Sequence, residues 1–202
     1  MDFLHLFRAG GFMMYPLILC SLVVVAIFIE RFRYYQSNRS HVEQLSKEIP
    51  EYLERGDYEG LKALLQQDGG IPASVVLAGV EHMNLKVDQT SLIEGAAAHA
   101  AGLLKNYLNY LDVIVTLSPL MGLLGTVIGM IGSFNVLSVS NGQPFAVTGG
   151  VAEALVCTAT GLFVAIIALI AYTYLSQQVS HFVSDMEKLG TLYLAIVEAK
   201  EQ

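Results

Sequence analysis

One carboxylate in this chain lies where acids are rarely found. Glu153 is the only Asp, Glu, Lys or Arg between Asp112 and Asp185. A charged carboxylate inside a bilayer costs about 2.5 kcal/mol or more, and such groups face a bundle interior or water. Close to the outer interface Glu153 would snorkel to the headgroups. Deeper in, it is a titratable group in an ion pathway, able to take up and release a proton. Two hydroxyls accompany it, Thr126 and Thr158. Threonine in a membrane helix commonly bonds back to a carbonyl three or four residues earlier; the alternative is that both hydroxyls line a polar path beside the acid. On a regular helix Thr158 lies about 140° round from Glu153, so it faces a different neighbour from the glutamate.

Other chemistries find no support. The five histidines are scattered, and none forms a metal-binding pair such as H-E-x-x-H. Cys20 and Cys157 both lie in apolar runs, which supports neither a disulfide framework nor a zinc site. The glycines from Gly122 to Gly132 have no Lys-Ser/Thr ending and are not a phosphate loop. No nucleophile is paired with a base, so an enzyme is not expected, nor a cofactor. A net charge of −7 argues against nucleic-acid binding.

The elements that hold Glu153 follow from composition. Of 202 residues 54% are hydrophobic and only 14% charged, against about 25% charged in soluble domains. Gly10 to Ile29 is a charge-free run ended by Glu30-Arg31-Phe32-Arg33, long enough to cross a core of about 30 Å. Its basic residues follow the run and no A-x-A-like site appears, so it reads as a retained span and not a signal peptide. The 79 residues between Lys105 and Asp185 carry two charges and are divided by Ser138-Val-Ser-Asn-Gly-Gln-Pro144, a turn signal. Two further spans follow, Val113–Leu137 and Val151–Leu175. Eight of the eleven Lys and Arg lie from Arg31 to Lys105 and none in the second loop. The positive-inside rule therefore places that region and the C-terminus in the cytoplasm, with the N-terminus outside; Arg8 dissents mildly, offset by Asp2.

The expected organisation is an all-α membrane protein with three transmembrane helices and long cytoplasmic helical extensions. It divides into an N-terminus with span one (1–30), a cytoplasmic helical domain (31–105), span two with its extension (106–138), a periplasmic loop (139–150), span three (151–176) and a cytoplasmic C-terminal helix (177–202). Within the cytoplasmic domain, Glu43–Arg55 and Tyr58–Gln67 have helical apolar spacing, with breaks at Arg55-Gly-Asp57 and Asp68-Gly-Gly-Ile-Pro72. Asp88 is an N-cap candidate, and the helix it opens is expected to run unbroken into span two.

Both later spans carry a stripe of small residues. Ser118, Gly122, Gly125, Gly129 and Gly132 recur at 4, 3, 4, 3; Ala154, Thr158, Gly161, Ala165 and Ala168 do the same. Such a repeat keeps one stripe facing a neighbouring helix, and small residues let backbones approach where no hydrophobic effect operates. Packing of span two on span three needs one seam each; packing between subunits would use more. Beside the second stripe run Glu153, Cys157, Thr160, Val164, Ile167 and Ala171. Pro119 should bend span two near its cytoplasmic end.

These residues resemble the MotA/TolQ/ExbB proton-channel family, nearest its ExbB/TolQ branch. The resemblance rests on Ser118-Pro-Leu-Met-Gly-Leu-Leu-Gly-Thr-Val-Ile-Gly-Met130, on Val151-Ala-Glu-Ala-Leu-Val-Cys-Thr-Ala-Thr-Gly-Leu-Phe-Val-Ala165, and on the Glu30-Arg31 pair. It implies a homopentameric ring in the bacterial inner membrane, with spans two and three lining a pore. It also implies a single-span partner of the ExbD/TolR kind bringing a membrane aspartate, and beyond it a TonB/TolA-like protein. Thr126, Thr158 and Glu153 carry over as ion-path positions, the partner aspartate doing the main protonation and Glu153 tuning the pore. The run Ala165-Ile-Ile-Ala168 lacks a proline usual in the family, Tyr172-Thr173 stands where Tyr-Asn is common, and Cys157 replaces a smaller or hydroxyl residue. Set against this motor reading are a non-conducting membrane scaffold that assembles partner proteins through its seams, and a stand-alone channel conducting without a partner.

Overall fold

A computed structural model of the chain describes residues 10–83, 88–139 and 145–201. Expectations that fall on Asp2, Arg8, and the Asn-Gly and Pro of the second loop lie outside these residues. Every regular element described is helical: α1 Met14–Ser37, α2 Val42–Arg55, α3 Tyr58–Asp68, α4 Ile71–Glu81, α5 Gln89–Leu104, α6 Leu108–Val139 and α7 Phe145–Glu201. Three helices, beginning at Met14, Leu108 and Phe145, are long and apolar enough to cross a membrane. The chain forms two compact units. An apolar unit comprises Met1–Ile29 with Tyr107–Tyr174, and a polar unit comprises Glu30–Asn106 with Leu175–Gln202.

In the polar unit the turns fall where the sequence calls for them. Gly56, in the left-handed region at φ 72°, ends α2 by donating its N–H to Leu53 O. Asp57 then opens α3, its Oδ1 accepting from the Gly60 N–H at 2.9 Å. Asp88 opens α5, accepting from the N–H groups of Thr90 and Ser91, which satisfies donors that a helix start leaves orphaned. Helix α4 has no counterpart in the sequence reading. Pro72, Ala73, Val75, Val76, Gly79 and Val80 are all buried, so the segment is apolar nearly all round and shows no amphipathic period. Asp68 pins the start of α2 to the end of α3. Its carboxylate accepts from the His41 N–H at 2.9 Å, lies 3.0 Å from His41 Nδ1, and accepts from the Gly70 N–H. Burial works to raise this carboxyl, but the His41 N–H, the Ser40 hydroxyl and the other donors hold it below its ordinary value.

The expected single helix from Asp88 into span two is corrected. Helix α5 stops at Leu104 and α6 begins at Leu108, with Tyr107 at φ 66° between them. Left-handed backbone costs a non-glycine residue roughly 1–2 kcal/mol, and long-range caps offset it. The Arg31 guanidinium donates to Leu103 O at 3.2 Å, and the Tyr35 hydroxyl donates to Leu104 O at 2.8 Å. The Asn106 N–H also turns back to Leu103 O. The last carbonyls of α5 are thus tied down from α1, and the ladder ends there. Helix α6 passes through Pro119 without interruption. Helix α7 begins at Phe145, before the expected Val151, and continues without a break through 177–201.

Candidate ion-pathway site

Within the apolar unit, α6 and α7 meet along their glycines. A Cβ added at Gly161 would come within 2.6 Å of Ser118 O and 3.0 Å of Gly122 Cα. One added at Gly122 would lie 3.1 Å from Thr158 Cα, and one at Gly129 would lie 3.0 Å from Gly150 O. At Gly125 the space is filled by the Cys157 thiol, and Cys157 is fully buried. Gly122, Gly125, Gly129 and Gly161 are therefore glycine because backbone or thiol stands where a side chain would go. Gly132, the last member of the stripe, has nothing within 4 Å of an added Cβ and is not part of this contact.

The polar groups on the seam find different partners. Thr158 donates across the interface to Gly122 O at 3.2 Å. Thr126 bonds back to Leu123 O on its own helix at 2.7 Å, the local bond usual for a threonine in a membrane helix. Ser133 bonds back to Gly129 O at 2.9 Å. Ser118 is fully buried beside Gly161, and its hydroxyl has no hydrogen-bond partner among the described residues.

Glu153 is turned elsewhere. A Cβ on Gly11 would fall onto its Oε1, and would lie 2.6 Å from Cδ and 3.2 Å from Cγ. The carboxylate therefore rests on the glycine turn that opens α1, where the Met14 N–H bonds to Gly11 O. Below it, Thr160 and Val164 line an open apolar groove of about 650 Å³ with Met14, Leu17 and Ile18 of α1, and the Thr160 hydroxyl bonds back to Val156 O. Glu153, Thr160 and Val164 of this stripe thus face α1 of the same chain, while Cys157 faces α6. Glu153, Thr126 and Thr158 are not joined to one another by hydrogen bonds among the described residues. Sequence reasoning had not paired Glu153 with Gly11; the only signal was Gly10-Gly11 just before the apolar run.

The chain's relatives lead to the same part of the molecule. Residues 68–188 match the description of the MotA/TolQ/ExbB proton channel family, a range that includes α6 and the first three-quarters of α7. An ExbB-like biopolymer transport protein of Synechocystis sp. is 32% identical over 196 residues, covering 92% of this chain and 91% of that protein. The Tol-Pal system protein TolQ of Haemophilus influenzae is 33% identical over 129 residues, 63% of this chain and 52% of its own length. The biopolymer transport protein ExbB of Salmonella typhimurium is 34% identical over 88 residues, 43% of this chain and 36% of its own. With glycine seam, apolar helices and near full-length similarity in agreement, this membrane protein belongs to the MotA/TolQ/ExbB proton channel family.

Proposed function

We propose that the chain is the ion-conducting ring subunit of an inner-membrane motor. It would couple proton motive force through an ExbD/TolR-like single-span partner to outer-membrane transport or envelope maintenance. The observation that carries this is the carboxylate of Glu153, the only Asp, Glu, Lys or Arg between Asp112 and Asp185, on a chain of the proton-channel family. In this reading the polar unit and C-terminus are cytoplasmic and the N-terminus is periplasmic, an orientation that the distribution of Lys and Arg supports. Five copies surround a pore lined by α6 and α7. The broad apolar face left on α6 by Leu120, Leu123, Leu124, Val127, Ile128 and Ile131 supports contacts to lipid and to neighbouring subunits. A membrane aspartate of the partner takes the main proton load. The Thr126 and Thr158 hydroxyls are already engaged by carbonyls, so they shape the path's walls while Glu153 supplies its fixed acid. A TonB/TolA-like protein receives the motion.

The test is partner-dependent proton flux in proteoliposomes holding the chain with an ExbD/TolR-like protein. Glu153→Ala and Thr158→Ala are expected to assemble and to lose flux, the glutamate variant more severely. Full flux from both variants would sink the ion-path assignment and favour a non-conducting scaffold. Flux without any partner would favour a stand-alone channel.

A further inference from the structure

Around one turn of α7 three helices converge. Glu153 covers Gly11, and Cys157, one turn on, fills the space at Gly125 of α6. Met13, two residues after Gly11, comes within 3.5 Å of the same Gly125 position. The entry turn of α1 is therefore held between the acid of α7 and the seam of α6. Gly11 is demanded twice over at this point. Its φ of 67° suits glycine, and no side chain could begin there without displacing the carboxylate. Gly10 differs: the nearest atoms a Cβ there would meet belong to the flexible side chain of Met14, which can move aside. Glu153 itself is half-buried, and its carboxylate stands where a Gly11 side chain would begin, so the shape of this seat bears directly on its position.

We propose that Gly11 is a positioning residue for Glu153. Its bare Cα forms the seat that holds the carboxylate at the junction of the three spans. The functional half of this proposal rests on the reading of Glu153 as an ion-path group; the contact itself does not. Any side chain at residue 11 moves the carboxylate, and removing one methylene from the acid makes room again.

Two measurements on the full-length chain in lipid bilayers separate these statements. Solid-state NMR with ¹³C at Gly11 Cα and Glu153 Cδ is expected to give a short-range cross-peak in the unmodified protein; a folded sample without it overturns the seat. In the proteoliposome assay Gly11→Ala should lower flux at least ~10-fold, as displaced functional groups do, while Gly10→Ala should leave it within about twofold. Gly11→Ala combined with Glu153→Asp should recover flux relative to Gly11→Ala alone. Backbone strain at residue 11 would persist in the double variant, so an absence of rescue overturns the proposal, as does unchanged flux in Gly11→Ala. If Gly11→Ala fails to fold, Gly11→Asn, which tolerates left-handed backbone, takes its place with the same expectations. Unaltered flux in Glu153→Ala would remove the ion-path reading while the cross-peak still judges the contact.

Discussion

The two units are built of opposite materials. The core of the polar unit is made of large side chains: Tyr35, Leu45, Ile49, Leu53, Leu61, Leu65, Phe182, Met186, Leu189 and Tyr193 are buried there. The α6–α7 seam of the apolar unit is made of Gly122, Gly125, Gly129, Ala154, Cys157, Gly161, Ala165 and Ala168, with large side chains turned outward at Leu120, Leu162 and Phe163, while Leu17, Leu111 and Ile114 are buried elsewhere in the unit. In water, burying a large side chain contributes about 1.5–3 kcal/mol. In lipid the outside is as apolar as the inside, so close backbone approach and interhelical hydrogen bonds must serve instead. On the α6–α7 seam small residues therefore take the place that large ones hold in the polar core.

Substitutions can break that contrast or sharpen it. The largest effect is expected from Gly161→Leu, since the added atoms meet the Ser118 carbonyl at 2.6 Å and backbone cannot yield. Folded yield in detergent should collapse, whereas Gly132→Leu, with open space at that position, should elute normally by size exclusion. Next comes Ile49→Ala, a fully buried residue of α2, which should destabilise by about 2–5 kcal/mol in chemical unfolding of the full chain. Its counterpart Leu162→Ala, 49% exposed on α7, should change stability by less than about 0.5 kcal/mol. A swap in the ranking of these two would refute the assignment of Leu162 to a lipid-facing surface. Tyr35→Phe removes the cap on Leu104 O and should cost about 1 kcal/mol, with faster amide exchange at residues 105–107 as the local sign.

The smallest effect concerns Asp68. Its folded carboxyl is held below the ordinary 3.8, so its contribution to stability is present above that value and is lost as pH falls through the lower folded one. The stability difference between the unmodified chain and Asp68→Asn should be level at neutral pH and shrink below about pH 4. A difference that stayed constant to lower pH would show that the His41 and Gly70 bonds do not depend on the carboxylate's charge.

Much of this was legible before the structure. Charge-free runs mark the spans because lipid tolerates few charges, and the 4, 3, 4 spacing of Ser118, Gly122, Gly125 and Gly129 marks a contact because only small residues allow it. The break at Lys105–Tyr107 was hidden. It contains neither glycine nor proline, and it is imposed by Arg31 and Tyr35 from a distant part of the sequence. Helix α4 was hidden because burial all round erases its period. Of the site, Glu153 could be singled out by type alone, but its direction could not. Helical geometry sets the angle between Glu153 and Thr158 without saying which neighbour occupies each side, and the decisive contact comes from Gly11, far away in sequence.

The hydroxyl of Ser118 has a bearing on how this seam can change over time. Among the described residues this buried donor has no partner; such a group costs about 1–3 kcal/mol, and an apolar replacement of similar size removes that cost. Alanine at residue 118 would therefore leave the helix contact intact and make it stronger. Drift under pressure for stability alone runs toward alanine at this position, so a serine that persists here among descendants would mark a demand other than the strength of the fold.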